Sequence, residues 1–120
     1  SLSELANYTL LMPTRGSVIR PFVDRFLLTN GMAELTDIIE TVSDSFGRAY
    51  LDRHDAIWII SRGVVYSDIQ AGRLALLDID TSETRGAVGF TTRADALPSL
   101  SLQIMVSTIR EHVTNLGKRL

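Results

Sequence analysis

At 120 residues the chain is long enough for one compact domain and a modest core. A composition of 45% hydrophobic and 22% charged residues suits a globular protein, and a net charge of −2 argues against nonspecific nucleic-acid binding by this segment. Without cysteine there is no disulfide framework or thiolate chemistry, and the start lacks the basic-then-apolar pattern of a secretory signal, which together point to the cytoplasm and away from a membrane.

Tyr8–Met12 (YTLLM) is an apolar run closed by Pro13 and reads as a buried strand. Thr14–Ser17 (TRGS) is a loop. A helix follows and ends at Asn30–Gly31, with Ile19, Phe22, Val23, Phe26 and Leu27 on one face. Proline is easiest at the first helical position, so Pro21 moves the expected start to Arg20–Pro21. Asp37–Val42 (DIIETV) is a second strand, and Ser43 or Asp44 caps a helix carrying Phe46, Ala49, Tyr50 and Leu51. Ala56–Ile60 is a third strand. It breaks at Ser61 into a short helix with Val64, Val65 and Ile69 that Gly72 stops, and Leu74–Leu77 is expected to be a further strand. Asp78–Gly86 is a polar linker and Ala87–Thr92 another expected strand. The last helix opens at Leu97–Pro98–Ser99, with Ser99 or Ser101 as cap. It carries a stripe of Leu102, Met105, Val106, Ile109 and Val113 and closes on Gly117, Lys118 and Arg119. Strands alternating with short helices imply an α/β fold with a mostly parallel sheet covered on both faces.

The order strand, turn, helix, Gly, strand over Leu51–Leu77 resembles the effector-binding domain of LysR-type transcriptional regulators. In most of that family two glycines lead into the first of these strands and a proline closes it; here His54, Ala56 and Ser61 stand at those positions. The run DAIWIISRGVV looks like one subgroup, the regulators of the pca (protocatechuate) operon. The resemblance covers roughly Leu5 to Val113. It implies a domain like the type II periplasmic binding proteins, with two lobes and a ligand cleft between them. Residues 5–79 would be the second lobe. Residues 80–120 would be the crossover, the returning strand and the C-terminal helix of the first lobe. The helix-turn-helix and the rest of the first lobe would lie outside the chain.

The family offers ligand contacts from the loop after the second lobe's first strand and from the start of the helix after its second strand. Here those are Thr14, Arg15, Gly16, Ser17 and Val18, and Ser43, Asp44 and Ser45. Independent physics agrees, because open α/β sheets bind ligands at the carboxyl ends of their strands. Both loops also lead into helix N-termini, which favour anions. Eleven of the twelve basic residues are Arg, which fits either a GC-rich genome or carboxylate recognition by guanidinium forks. The expected ligand is a small carboxylate; by resemblance to the pca regulators the best guess is β-carboxy-cis,cis-muconate. The plainer alternative makes TRGS an ordinary turn and Ser43 only a cap.

Other candidates read as structural. His54–Asp55 lacks a third group for catalysis or metal binding, and His112 is distant in sequence. Trp58 belongs to a core strand, and Asp78, Asp80 and Glu83 to a solvated hinge. No phosphate loop or Gly-x-Ser-x-Gly elbow occurs. A receiver domain would need an Asp where Ile60–Ser61 stand. No nucleophile–base pair is visible, so neither an enzyme nor a cofactor is expected. The first reading is therefore the sensing part of a transcriptional activator, contacting DNA only through the absent helix-turn-helix. The alternative is a fragment of a periplasmic solute-binding protein for a transporter. An unpaired strand at Ala87–Thr92 and the apolar stripe of the last helix further predict a homo-oligomer formed through Ala87–Val113.

Overall fold

The computed structural model describes residues 2–32 and 34–118. Two compact units make up the chain, Ser1–Ala87 and Val88–Leu120.

In the first unit a 3-10 helix, Leu2–Asn7, leads into β1 (Thr9–Met12), and α1 (Arg20–Thr29) is followed by β2 (Ile38–Glu40). Next come α2 (Asp44–Leu51), β3 (Ala56–Trp58), α3 (Arg62–Gln70) and a short 3-10 turn, Ser82–Thr84. The three strands form one parallel sheet in the order β2-β1-β3. Local chemistry sets the boundaries. Pro21 stands in the first turn of α1, where its missing N–H is harmless, and Ser43 caps α2 by accepting from the Phe46 N–H at 3.2 Å. Gly31 (φ 72°) and Gly72 (φ 68°) take the left-handed conformation that ends α1 and α3.

Alternation along β1 explains the layers. Leu10 lies in register with Ile38 and Ile57. With Met12 it joins a core of Leu5, Val23, Phe26, Leu27 and Met32, so this face of the sheet is the one α1 covers. Leu11 points the other way, in one row with Ile39 and Trp58, and has no exposed surface. There α2 approaches β3 closely. A Cβ built on the buried Gly47 would lie 2.6 Å from Cε2 and Cη2 of Trp58. Glycine at 47 is thus what lets the indole lie flat against the helix.

An ion cluster ties α2, α3 and the turn after α3 together. The buried Asp68 carboxylate accepts from Arg48 Nε at 2.9 Å and from Arg73 Nε and Nη2 at 3.0 and 2.9 Å. Arg48 Nη2 also donates to the Val64 carbonyl at 2.7 Å. Hydrogen bonds from Arg48, and then from Arg73, hold the Asp68 carboxyl below its ordinary pKa.

Several expected strands differ. Asp37–Val42 narrows to Ile38–Glu40. Ala56–Ile60 narrows to Ala56–Trp58, although the Ile59 N–H still donates to the Leu11 carbonyl at 2.9 Å. Leu74–Leu77 and Ala87–Thr92 form no strand. A strand needs a neighbour to take its N–H and C=O groups, and among the described residues neither segment pairs with one. Leu76, Leu77 and Val88 are correspondingly exposed.

The second unit is dominated by α4 (Leu100–Gly117), which Ser99 caps by accepting from the Leu102 N–H at 3.2 Å. Leu102 and Val106 are half-buried, whereas Ile104, Met105, Ile109 and Val113 are exposed. The Arg110 guanidinium lies 5.9 Å from the Phe90 ring centre, within range of a cation–π contact.

Candidate functional site

Both predicted loops leave the carboxyl ends of neighbouring parallel strands. Met12 is paired with Glu40, and the Thr41 N–H donates to the Met12 carbonyl at 2.9 Å, so the loops start side by side. Strand order reverses at β1, since β2 lies on one side of it and β3 on the other. Helix α1 packs on one face of the sheet and α2 on the other, and it is at the carboxyl ends of the strands, where the order reverses, that open α/β sheets generally bind ligands.

Residues 14–18 form a tight turn. Ser17 donates to the Thr14 carbonyl from its N–H at 3.0 Å and from Oγ at 2.8 Å. Gly16 stands in open space, where a Cβ would meet nothing within 4 Å, so packing does not demand glycine there. Arg15 and Val18 project outward, exposed by 86% (side chain) and 85%. In the second loop the Ser43 N–H donates to Thr41 Oγ1 at 3.0 Å, and the Ser43 and Ser45 hydroxyls lie 3.1 Å apart. Asp44 is exposed in the first turn of α2, where its negative charge complements the helix dipole.

Two residues outside the predicted set organise this corner. Arg20, only 7% exposed, donates Nη1 to the Pro13 carbonyl at 2.8 Å and to Glu40 Oε1 at 2.9 Å, and Nε to Asp24 Oδ1 at 2.7 Å. Glu40 also lies 3.5 Å from Arg15 Nε. The hydrogen bond from Arg20, and less so the charges of Arg20 and Arg15, hold the Glu40 carboxyl below its ordinary pKa. The sequence carried half of this signal: Arg20 and Asp24 have the i,i+4 spacing of a helical ion pair. Glu40 is twenty residues further on and reaches them only through strand pairing.

The other candidates have structural surroundings. The His54 ring stacks on Tyr50 with centroids 4.2 Å apart, and Trp58 is half-buried against Gly47. Asp80 Oδ1 accepts from the Ser82 N–H at 2.9 Å, closing a local turn. Among the described residues no group of three or more His, Asp or Glu side chains is placed to hold a metal, and no helix is long and apolar enough to cross a membrane.

A parallel sheet with two loops leaving side by side from its carboxyl edge is an α/β arrangement of the kind that generally binds ligands at its strand ends. Residues 1–114 match the LysR substrate binding domain, and the chain belongs to that family, whose fold is periplasmic-binding-protein-like. It is 55% identical over 108 residues to the HTH-type transcriptional regulator PcaQ of Agrobacterium fabrum, and equally to that of Rhizobium radiobacter. Those alignments cover 90% of this chain and 35% of each relative. An uncharacterized HTH-type transcriptional regulator of Escherichia coli, YdcI, is 26% identical over 111 residues, 92% of this chain and 36% of that protein. The chain thus spans about a third of the length of the curated relatives it matches. All three are named as transcriptional regulators, none as an enzyme. No solved structure matches the chain.

Proposed function

We propose that this chain is the effector-sensing part of a LysR-type transcriptional activator controlling protocatechuate-pathway genes in the cytoplasm. The observation that carries the reading is 55% identity to PcaQ over nine-tenths of the chain. In this reading residues 5–79 are the second lobe, and residues 80–120 are the crossover, the returning strand and the C-terminal helix of the first lobe. DNA would be contacted through a helix-turn-helix outside this chain.

The effector in this reading is a di- or tricarboxylate, with β-carboxy-cis,cis-muconate the first choice. It would be held by Thr14–Val18 and Ser43–Ser45. Arg15 supplies an exposed cation, Thr14 and the serines of the second loop supply hydroxyls, the Ser17 hydroxyl being taken up by the Thr14 carbonyl, and two helix starts supply oriented N–H groups. A ligand bridging the lobes favours one cleft geometry over another, and that difference in affinity is the whole of the switch. Self-association through residues 87–113 belongs to the same reading, since apolar side chains there stand exposed.

Calorimetric titration of the full-length gene product with β-carboxy-cis,cis-muconate, cis,cis-muconate and protocatechuate tests it. Tightest binding of the tricarboxylate is expected, weakened about tenfold or more by Arg15→Ala, the range for losing a charge-assisted pair. Equal binding in the mutant would move the site elsewhere, and no binding of any of the three would remove the pca assignment.

A further inference from the structure

We propose that Glu40 is a resident counter-ion of the candidate site: an incoming carboxylate displaces it from Arg15, and its charge sets which anions the site accepts. This rests on the anion-site reading above and adds a residue that limits it.

The two arginines at this corner are not equivalent. Arg20 is buried and its charge is matched by two carboxylates, Asp24 and Glu40, with the Pro13 carbonyl as a third acceptor. Arg15 is 86% exposed, and its one ion-pair partner among the described residues is Glu40, at a separation of 3.5 Å. That is too long for a good hydrogen bond, and exposed pairs of this kind contribute little. A ligand carboxylate that meets the Arg15 guanidinium two bonds at a time therefore replaces Glu40 readily.

Glu40 cannot withdraw when this happens. Its backbone is paired with Met12 in the sheet, and Arg20 grips its side chain at 2.9 Å. Its charge stays beside the bound anion. The hydrogen bond from Arg20 also keeps it ionised at neutral pH. Arg15 and Arg20 carry two positive charges, Glu40 and Asp24 two negative ones, so the side-chain cluster is neutral overall. An anion arriving here meets one available cation next to one fixed carboxylate. The repulsion grows with each charge on the ligand. Glu40 thus holds affinity down and penalises a trianion more than a dianion, unless a ligand carboxyl points away towards the second loop.

The test is calorimetry on the full-length gene product with β-carboxy-cis,cis-muconate as the trianion and cis,cis-muconate as the dianion. Wild type, Glu40→Gln and Arg15→Ala are compared. In Glu40→Gln the side-chain amide oxygen would still accept from Arg20, but the charge would be gone. The expected result is roughly three- to tenfold tighter binding of the trianion in Glu40→Gln, a smaller gain for the dianion, and weaker binding of both in Arg15→Ala. Weakening in Arg15→Ala without any gain in Glu40→Gln overturns the counter-ion role and leaves the site standing. No effect of Arg15→Ala, or no wild-type binding of either ligand, overturns the site and the counter-ion together. If circular dichroism shows that Glu40→Gln does not fold, Glu40→Ala carries the test, because it removes the charge beside Arg15 while Arg20 keeps Asp24 and the Pro13 carbonyl as partners. Tighter trianion binding is then expected, and unchanged or weaker binding overturns the proposal.

Discussion

The two units of this chain carry apolar side chains in similar abundance but bury them very differently. In the first unit Leu10, Leu11 and Met12 of the central strand are at most 1% exposed, covered by helices on both faces. In the second unit no described residue is fully buried, and Ile104, Met105, Ile109 and Val113 stand in solvent along α4. Local signals built both: a serine cap starts α4 just as one starts α2. Capping and helical periodicity are enough to shape an element. Burial requires a partner surface, and the first unit supplies its own.

That contrast can be broken by mutation, starting where the loss should be largest. Leu11→Ala removes a side chain with no exposed surface and should cost about 3 kcal/mol. Ile109→Ala on the exposed side of α4 should change stability by less than about 0.5 kcal/mol. Urea unfolding followed by the fluorescence of Trp58, the single tryptophan, measures both. Equal losses would mean that α4 is buried in solution.

Asp68 offers a sharper probe of the first unit. Its carboxyl is held below the ordinary value by Arg48 and Arg73, so the stabilisation is present above the unfolded-state pKa and is lost as pH falls through the folded one. Stability should therefore drop on acidification below the usual carboxylate range. The drop should be visibly shallower in Asp68→Asn, whose stability at neutral pH is already reduced. Parallel pH profiles for the two proteins would remove Asp68 from the account.

Gly47→Ala should destabilise by about 1 kcal/mol. Overpacking against Trp58 costs about 1–3 kcal/mol and the helix-propensity gain returns at most about 1. A shifted Trp58 emission in the folded state should accompany it; a more stable protein with unchanged emission would show that the indole moves aside freely. The smallest effect on folding is expected from Met105→Glu with Ile109→Glu. This pair should leave the melting curve of the isolated chain nearly unchanged while weakening its self-association roughly tenfold, as read by light scattering. A wild-type chain that stays monomeric at high concentration would contradict association through residues 87–113.

The same contrast explains what could be read in advance. Pro21 placed the start of α1, Ser43 and Ser99 marked caps, and Gly31 and Gly72 marked stops, because each acts on the backbone within a turn of its own position. Leu74–Leu77 and Ala87–Thr92 misled because apolar character reports a demand for burial, and only the fold decides whether a neighbouring strand meets it. The corner beside the predicted loops followed the same rule. Residues 14–18 and 43–45 were placed by their strands, whereas the Arg20–Glu40 pair spans twenty residues and depends on the register of Met12 with Glu40. Asp68 and Arg48 are likewise twenty apart and met only once α2 and α3 had packed.

The most direct test of the central claim is amide hydrogen exchange on the full-length gene product with and without β-carboxy-cis,cis-muconate. Slowed exchange is expected in peptides covering residues 14–18 and 43–45. Protection confined to other segments, at saturating ligand, would contradict a carboxylate site at the ends of β1 and β2.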